Sequence, residues 1–380
     1  MKRAVERVKR SARGLPGRLA RRGVPGPERT ATVDVAAARI VVVIPAHDEE
    51  ALIALTLDSI EAQTRRPDRM IVMADNCTDR TEEIVRARPG WEAWSSTGNR
   101  DKKAGALNQA WERLEREGGL GPDDLLLVVD ADTELTERFI ENAAAWYGRR
   151  PGIGGVCGNF HGKPGGGVLG AFQRMEYARF ARALARRGGA TFVLSGTASL
   201  FRASVLRELH AARGHVYDPT SMVEDYELSL ALRHRGYACV APPDCRVHTD
   251  VMPTVRELRA QRVRWQRGTL EELRRYGATC VTNPDIARQG LLGAALLSRF
   301  AFVAMIAATL SLAGELSVQW EWTALTAVVA VERAISVREL GWRYALTAVL
   351  VVPEELYGLL REAFFVKSAW LALQRGAWTW

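Results

Sequence analysis

The feature that most constrains the fold of this chain is an apolar run that stops abruptly at acidic residues. Residues 125–129 read Leu-Leu-Leu-Val-Val, and Asp130, Ala131 and Asp132 follow them. Such a run predicts a strand buried on both faces of a sheet, with the acids at its carboxyl end, where open α/β sheets bind ligands. Two residues apart in extended chain, both carboxylates can approach one hard cation. The alternative is that the acids only end the strand and cap the next helix.

Strand and helix patterns alternate before this run. The sequence predicts strands at residues 39–44, 69–74 and 91–97, and an apolar helical repeat follows each of them. A turn at residues 45–50 comes after the first strand, and a polar segment at 75–81 follows the second. This alternation predicts an α/β fold with a mainly parallel central sheet.

The net charge of +8 is unevenly distributed. Residues 1–30 contain ten Lys or Arg but only Glu6 and Glu28, so this segment accounts for the whole excess. We predict a basic, disordered tail over residues 1–38; the alternative is an arm that binds an anionic membrane or nucleic acid. Since no apolar segment follows the basic residues, we do not expect a secretory signal.

Cysteine and histidine usage bears on the compartment and on metal chemistry. The five cysteines are scattered without a C-x-x-C pair, and the six histidines lack zinc-site spacing. This pattern favours free thiols in a reducing compartment and argues against a His/Cys metal site.

The chain becomes markedly apolar after Pro284. Residues 290–314 are long enough to cross a bilayer, whereas charged residues divide the shorter segments 320–331 and 344–352. We predict that residues 286–380 form an apolar helical region, transmembrane or interfacial. A soluble helical cap is the alternative.

Three further stretches carry candidate ligand-binding groups. Lys103 precedes an amphipathic helix, where a phosphate would meet both its charge and the helix amides. Glu224 and Asp225 enter another helix, and one of them is alternatively only an N-cap. Helical spacing places Arg264 and Trp265 on one face, suited to phosphate and to a sugar or base; a solvated basic helix is the alternative.

Six motifs therefore occur in one order along the chain. They are Pro45-Ala46-His47-Asp48-Glu49-Glu50, residues 75–81, Lys103-Ala104-Gly105-Ala106-Leu107-Asn108, Asp130-Ala131-Asp132, Val223-Glu224-Asp225 and Gln261-Arg262-Val263-Arg264-Trp265. With these motifs the chain resembles a family 2 inverting glycosyltransferase over roughly residues 39–270. It looks closest to the membrane-associated branch related to cellulose, chitin and hyaluronan synthases. The resemblance implies a Rossmann-like GT-A domain, which we place at residues 39–285.

The resemblance also implies a donor site and a cofactor. Pro45, Ala46, Glu49 and Asp75 would contact the base or ribose of a nucleotide sugar, expected to be a UDP-sugar. Lys103 would face the diphosphate. Asp130 and Asp132 would bind Mg²⁺ or Mn²⁺ across it, because a leaving diphosphate carries developing negative charge.

The acceptor side follows from the last two motifs. Asp225 matches the general base of the family's T-E-D signature, preceded by Glu224, although Val223 replaces the threonine. Gln261, Arg264 and Trp265 match Q-x-x-R-W, which implies that Arg264 holds the diphosphate and Trp265 stacks on the acceptor sugar. A single base opposite the leaving group gives inversion in one displacement.

The resemblance thus implies metal-dependent transfer of a sugar to a hydroxyl of a glycan or lipid, by a catalytic domain on the cytoplasmic face of a membrane. The short apolar region favours addition of one or a few sugars over processive synthesis. Three alternatives remain: a nucleotidyltransferase, a membrane-bound nucleotide-sugar-binding protein without catalysis, and a transferase directed to nucleic acid. The first would need a Gly-rich basic loop after the first strand, where this chain has acidic residues.

Overall fold

The computed structural model describes residues 32–313 and 320–374. The chain divides into two compact units, the first made of residues up to 160 together with 187–249 and the second of 161–186 together with residues from 250 onward. The predicted basic tail lies, apart from residues 32–38, outside the described residues. Each unit is therefore considered by itself.

The first unit is built on strands that alternate with helices. Its strands are β1 (Ile40–Ala46), β2 (Arg69–Ala74), β3 (Trp91–Ser95), β4 (Leu125–Val129), β5 (Glu134–Leu135), β6 (Ile153–Cys157), β7 (Asn159–Gly162), β8 (Ala198–Arg202), β9 (Ala238–Val240) and β10 (Arg246–Thr249). Its helices are α1 (Ile53–Glu61), α2 (Thr81–Arg86), α3 (Lys102–Arg116), α4 (Phe139–Arg149), α6 (Ala203–Arg213) and α7 (Glu224–His234). The helix α5 (Gly167–Arg186) interrupts this series and belongs to the second unit, and β7 runs across the boundary.

The central sheet is mainly parallel, as the alternation predicts. Its strand order is β3-β2-β1-β4-β8-β6-β9, with β8 antiparallel to both of its neighbours and the other pairs parallel. A second sheet has the order β5-β10-β7. The strand β4 lies in the middle of the large sheet, and all five of its residues are buried. The apolar run is thus the centre of the core, and the acids after it emerge at the carboxyl edge of the sheet.

The first strand is longer than predicted. It continues through Pro45 to Ala46, which pair in register with Met73 and Ala74 of β2. A proline lacks the N–H donor, yet Asp75 still donates its backbone N–H to the Ala46 carbonyl at 2.8 Å. The polar turn therefore begins at His47 rather than at Pro45.

Residues just before β1 pack against the first unit. Val33 is buried and donates its backbone N–H to the Tyr147 carbonyl at 3.0 Å. Arg65 donates to the carbonyls of Val35 and Ala38 at 2.6 Å and 2.8 Å. The end of the segment predicted as a tail thus contributes to the sheet domain from residue 33 onward.

The second unit is helical. Besides α5, it contains α8 (Val255–Tyr276), α9 (Asn283–Ala313), α10 (Trp320–Ser336), a 3₁₀ turn (Arg338–Leu340), α11 (Trp342–Val349) and α12 (Val352–Leu373). Because α9 starts at Asn283, the predicted boundary at residue 285 falls inside a helix. Among the described residues, one helical segment, Asn283–Leu312, has the length and the mean hydropathy (2.0) needed to cross a bilayer.

Asp124 tests how far the first unit depends on one buried carboxylate. It accepts the backbone N–H groups of Arg39 at 3.0 Å and Gly121 at 2.6 Å, and the Arg39 guanidinium at 2.7 Å. Burial by itself raises the pKa of Asp124, but these hydrogen bonds lower it overall. Asp124→Asn should lower the free energy of unfolding by about 2 kcal/mol at neutral pH. The deficit should shrink below about pH 4, because protonation removes the same carboxylate from the wild type.

The measurement is chemical unfolding of the full chain followed by tryptophan fluorescence at several pH values. Asp123→Asn is the matched control, because the Asp123 side chain is 53% exposed while it pairs with Arg202. We expect the control to change stability by no more than about 0.5 kcal/mol. Equal losses for the two variants would contradict the assigned role of Asp124.

Candidate active site

Lys103, in the first turn of α3, is the electrostatic centre of the first unit's candidate site. Its ammonium group forms an ion pair with Asp130, which follows β4, and lies 3.2 Å from Oε1 of Glu224 in α7. Burial alone lowers the pKa of Lys103, but the charges of Asp130 and Glu224 outweigh burial and raise it. One cation therefore joins the acidic edge of the sheet to the helix that carries the predicted base.

The approach of α3 depends on a glycine. A Cβ on Gly105 would lie 2.0 Å from Oδ1 of Asn99, so a side chain at this position would displace the preceding loop. Asn99 in turn donates from Nδ2 to the Lys102 carbonyl at 2.7 Å and to Oδ1 of Asp75 at 2.8 Å. These contacts fix the entry into α3 and tie it to the end of β2.

Asp225 lies on the other side of Gly196 from Lys103. Its Oδ2 accepts the backbone N–H of Gly196 at 3.1 Å, and its Oδ1 accepts the N–H of Tyr226 at 2.7 Å. A Cβ on Gly196 would stand 2.7 Å from the Lys103 ammonium and 3.3 Å from Oδ2 of Asp130. Asp130 and Asp225 thus flank one glycine and one lysine.

A cavity of about 10 Å³, the space of one water molecule, opens among these groups. Besides Lys103, Gly196, Glu224 and Asp225, it is lined by Tyr217 and by apolar side chains of α3, β4, β8 and α7. The side chain of Asn108 in α3 donates to the Tyr217 carbonyl at 2.7 Å and accepts the Tyr217 N–H at 2.9 Å. The helix that carries Lys103 therefore also holds the loop that carries Tyr217.

The acidic residues of the site repel one another. Burial raises the pKa of Glu49 to about 7, with further contributions from the charges of Asp132 and Asp130. Burial also raises the pKa of Asp130 to about 6, against the lowering effect of Lys103. The pKa of Asp225 is raised as well, first by burial and then by the charge of Glu224. A single lysine does not compensate this concentration of carboxylates.

This donor set fits a hard divalent cation. Glu49, Asp130 and Asp132 offer carboxylate oxygens, the ligands that Mg²⁺ and Mn²⁺ prefer, and their mutual repulsion would be relieved by a positive ion. The carboxylates that follow β1 and β4 therefore suit the expected metal.

A second group of potential ligands lies after β1 and β2. Asp48, Cys77 and Asp79 have ligand atoms within 4.8 Å of one another. However, Oδ1 of Asp48 accepts the Thr78 N–H at 2.6 Å, and Oδ1 of Asp79 accepts the Thr81 hydroxyl at 2.6 Å. These hydrogen bonds close the turn and cap α2, which accounts for the acids without a metal.

The remaining predicted donor residues lie at the ends of β1 and β2. Pro45 and Ala46 are buried in β1. Asp75 is buried too, and its Oδ1 accepts hydrogen bonds from the Asn76 amide (3.0 Å), the Ser96 hydroxyl (2.7 Å) and the Asn99 amide. Asp75 is thus held rigidly by polar side chains of three loops.

The predicted acceptor-side residues Gln261, Arg264 and Trp265 lie on α8, in the second unit. All three are half-buried, and the Arg262 guanidinium stacks 4.7 Å from the centroid of the Trp265 ring. The described contacts therefore join Asp130, Glu224, Asp225 and Lys103 within the first unit, and the roles of Gln261, Arg264 and Trp265 stay predictions.

Sequence reasoning missed Tyr217 and the part played by Asn108. Neither belongs to a pattern of period or charge, since each matters through a partner 109 residues away in the chain. Gly196 lies in a run of small residues that signals close backbone approach, but its neighbours Lys103 and Asp130 were not identifiable from sequence.

Comparison with known families decides the class. A family model described as "Glycosyltransferase like family 2" matches residues 37–268, more than half of the chain. The chain belongs to glycosyltransferase family 2. The resemblance inferred from the six motifs is thereby confirmed, and the matched region contains every residue predicted for the site.

Two curated relatives of this family 2 chain are poly-beta-1,6-N-acetyl-D-glucosamine synthases. The protein of Staphylococcus aureus (strain COL) is 28% identical over 246 residues, which cover 62% of this chain and 56% of the relative. The protein of Staphylococcus epidermidis is 26% identical over 235 residues, with 60% and 54% covered. The family 2 chain therefore spans about half the length of the curated relatives it matches.

A solved structure supports the fold. The mannosyltransferase PcManGT from Pyrobaculum calidifontis, in complex with GDP-Man and Mn²⁺, superposes with a TM-score of 0.58 at 21% identity. The match covers 97% of the family 2 chain and 94% of that protein. At this identity the likeness concerns architecture, and it confirms the predicted GT-A domain followed by a helical region.

Gly196 offers a direct test of the site geometry. In Gly196→Ala the added methyl group would displace the flexible Lys103 ammonium, so the fold should persist while the charge beside Asp130 moves. We expect release of nucleoside diphosphate from a nucleotide sugar to fall by roughly 100-fold, with little change in the thermal unfolding midpoint. Gly290→Ala is the matched control, because a Cβ there meets nothing within 4 Å. Wild-type turnover in Gly196→Ala would show that Lys103 needs no fixed position.

Proposed function

We propose that this family 2 chain is a metal-dependent inverting glycosyltransferase that moves a sugar from a nucleotide-sugar donor, expected to be a UDP-sugar, to a hydroxyl of a glycan or lipid. Asp225 is the general base of this reaction. The observation that carries the proposal is the position of Gly196, whose N–H binds Asp225 and whose Cα faces Lys103 and Asp130. A carboxylate suited to a metal and a separate carboxylate suited to a proton thus meet at one residue.

The chemistry requires one displacement. Asp225 takes the proton of the acceptor hydroxyl as its oxygen bonds to the anomeric carbon, and the bond from that carbon to the diphosphate oxygen breaks. The leaving nucleoside diphosphate keeps the electron pair. The raised pKa of Asp225 suits this role, because a more basic carboxylate binds the proton more strongly.

Negative charge on the leaving group needs compensation. A bound Mg²⁺ or Mn²⁺ held by Asp130 and Asp132 would supply Lewis-acid neutralisation of the diphosphate. Lys103 adds a fixed positive charge beside Asp130, and Glu224 keeps its ammonium group in place at 3.2 Å. On this proposal Arg264 completes the neutralisation, Gln261 and Trp265 contact the acceptor, and Pro45, Ala46, Glu49 and Asp75 hold the nucleoside.

The setting of the reaction follows from the helical region. The exposed apolar surface of α9 supports attachment to a membrane, with the catalytic domain on the cytoplasmic face. The matched relatives are named as synthases of a β-1,6-linked N-acetylglucosamine polymer, which supports a glycan as the acceptor class. Conversely, the described fold offers no feature that favours nucleic acid over a membrane as the partner.

The decisive experiment is a donor screen. Purified full-length protein with Mn²⁺ is incubated with a panel of nucleotide sugars and scored for nucleotide release, and then for transfer to candidate acceptors. With the active donor, Asp225→Asn should reduce transfer by roughly 10²–10⁴-fold, because the amide cannot accept the proton. Binding of nucleotide and metal should remain within about twofold of wild type, since no ligand contact is removed.

Asp123→Asn serves as the control for this variant, because it makes the same chemical change outside the site. The assignment of Asp225 as base fails if Asp225→Asn transfers sugar at the wild-type rate. Loss of nucleotide binding in that variant would instead place Asp225 among the donor ligands.

The two acidic groups of the first unit can be told apart by metal titration. Asp132→Asn should abolish the Mn²⁺ dependence of nucleotide affinity measured by calorimetry, because one of the proposed ligands is lost. Asp79→Asn, which alters the group formed by Asp48, Cys77 and Asp79, should leave that dependence unchanged. The opposite pattern would transfer the metal site to the turn after β2.

A further inference from the structure

A second cavity, of about 280 Å³, lies within the second unit among α5, α9, α10 and α12. On this measure one water molecule needs ~10–15 Å³, so the cavity accepts a much larger group. Eight of its twelve lining residues are arginine or glutamate, four of each, which indicates a polar and charged occupant. It is built from residues that the proposed reaction does not use.

Most of the lining charges are already paired. Arg179 donates two hydrogen bonds to Glu354, at 2.7 Å and 2.9 Å. Arg299 and Arg333 both pair with Glu355. These pairs hold the helices together, because each one joins residues of different helices.

Arg361 and Glu332 differ from the paired residues. Arg361 reaches only Glu176, at 3.5 Å, and this carboxylate also accepts Arg262 at 3.1 Å and the Tyr357 hydroxyl at 2.8 Å. The Arg361 side chain is 46% exposed. Glu332 makes no hydrogen bond or ion pair with any residue in the described ranges. The cavity therefore presents one weakly compensated cation and one uncompensated anion.

The surroundings of the cavity are apolar. Arg299 lies in the most hydrophobic helix, next to Phe300 and two residues from Leu297, whose side chains are 62% and 70% exposed. The exposed Leu356 and Leu359 extend this surface on α12. Charged groups placed within an apolar helical surface mark a binding site for a polar ligand, because they are costly to keep in such a setting.

We propose that this cavity binds the head group of a zwitterionic phospholipid that carries both a phosphate and a primary ammonium group, as phosphatidylethanolamine does. Arg361 binds the phosphate through charge-assisted hydrogen bonds, and Glu332 accepts hydrogen bonds from the ammonium group. The acyl chains lie along the exposed apolar side chains of α9 and α12. An anionic lipid without an ammonium group leaves Glu332 unpaired, and a choline head group lacks N–H donors.

The test is calorimetric titration of the full chain in non-ionic detergent with short-chain phosphatidylethanolamine, phosphatidylcholine and phosphatidylglycerol. Phosphatidylethanolamine should bind about tenfold more tightly than the other two, the effect of one charge-assisted hydrogen bond. Arg361→Gln should weaken binding of all three lipids by about tenfold. Glu332→Gln should remove the preference for phosphatidylethanolamine while leaving the affinity for phosphatidylcholine unchanged.

The controls separate this site from general adsorption and from soluble ligands. Arg338→Gln and Glu339→Gln make the same changes on exposed residues of this unit outside the cavity and should leave the affinities unchanged. Free phosphoethanolamine and inorganic phosphate should bind more weakly than the lipid, because they bury no acyl chain. The proposal is overturned if the three lipids bind alike, if the cavity variants match the controls, or if free phosphoethanolamine binds as tightly as the lipid. A thermal unfolding midpoint near that of wild type, with Arg361→Lys as a charge-preserving variant, verifies that each variant is folded.

Discussion

The contact of Lys103 with Asp130 and Glu224 is the interaction on which the candidate site depends. Several carboxylates converge where β1, β4 and α7 meet the surface, and their repulsion would push these elements apart if nothing opposed it. The lysine lies between Asp130 and Glu224, and Gly196 leaves the space that its ammonium group needs. The same arrangement leaves surplus negative charge on the Glu49 and Asp132 side, which is where a divalent cation is needed for transfer to occur.

The parts of the fold that depend on local pattern were predictable from sequence. The run from Leu125 to Val129 is hydrophobic throughout because the strand is covered on both faces, and the alternation of strands with helices implied parallel pairing. The antiparallel insertion of β8 between β4 and β6 was not predictable, since strand direction there depends on a connection through residues that belong to another unit. The end of β1 was placed too early because proline was taken as a turn signal.

The site shows the same division. Asp130, Asp132, Lys103 and Asp225 could be named because each lies at a strand end or a helix start, where sequence signals are strong. Their mutual positions could not be derived, because they depend on Gly196 and on a loop held by Asn108. Family resemblance supplied chemical roles for individual residues, whereas the structure supplied the contacts that bring four of them to one place.

The path of the chain between the two units has a consequence for how this protein can change. The chain leaves the sheet after Phe160, builds α5 in the helical unit, and returns at Arg187 to form β8, α6 and α7 before leaving again. The helical unit therefore comes from two separate segments of sequence, and one of them lies between the residues that hold the donor and the residue that takes the proton. Recombination that exchanged only the carboxyl-terminal helices would leave α5 facing unfamiliar neighbours, so the two segments are expected to be inherited together.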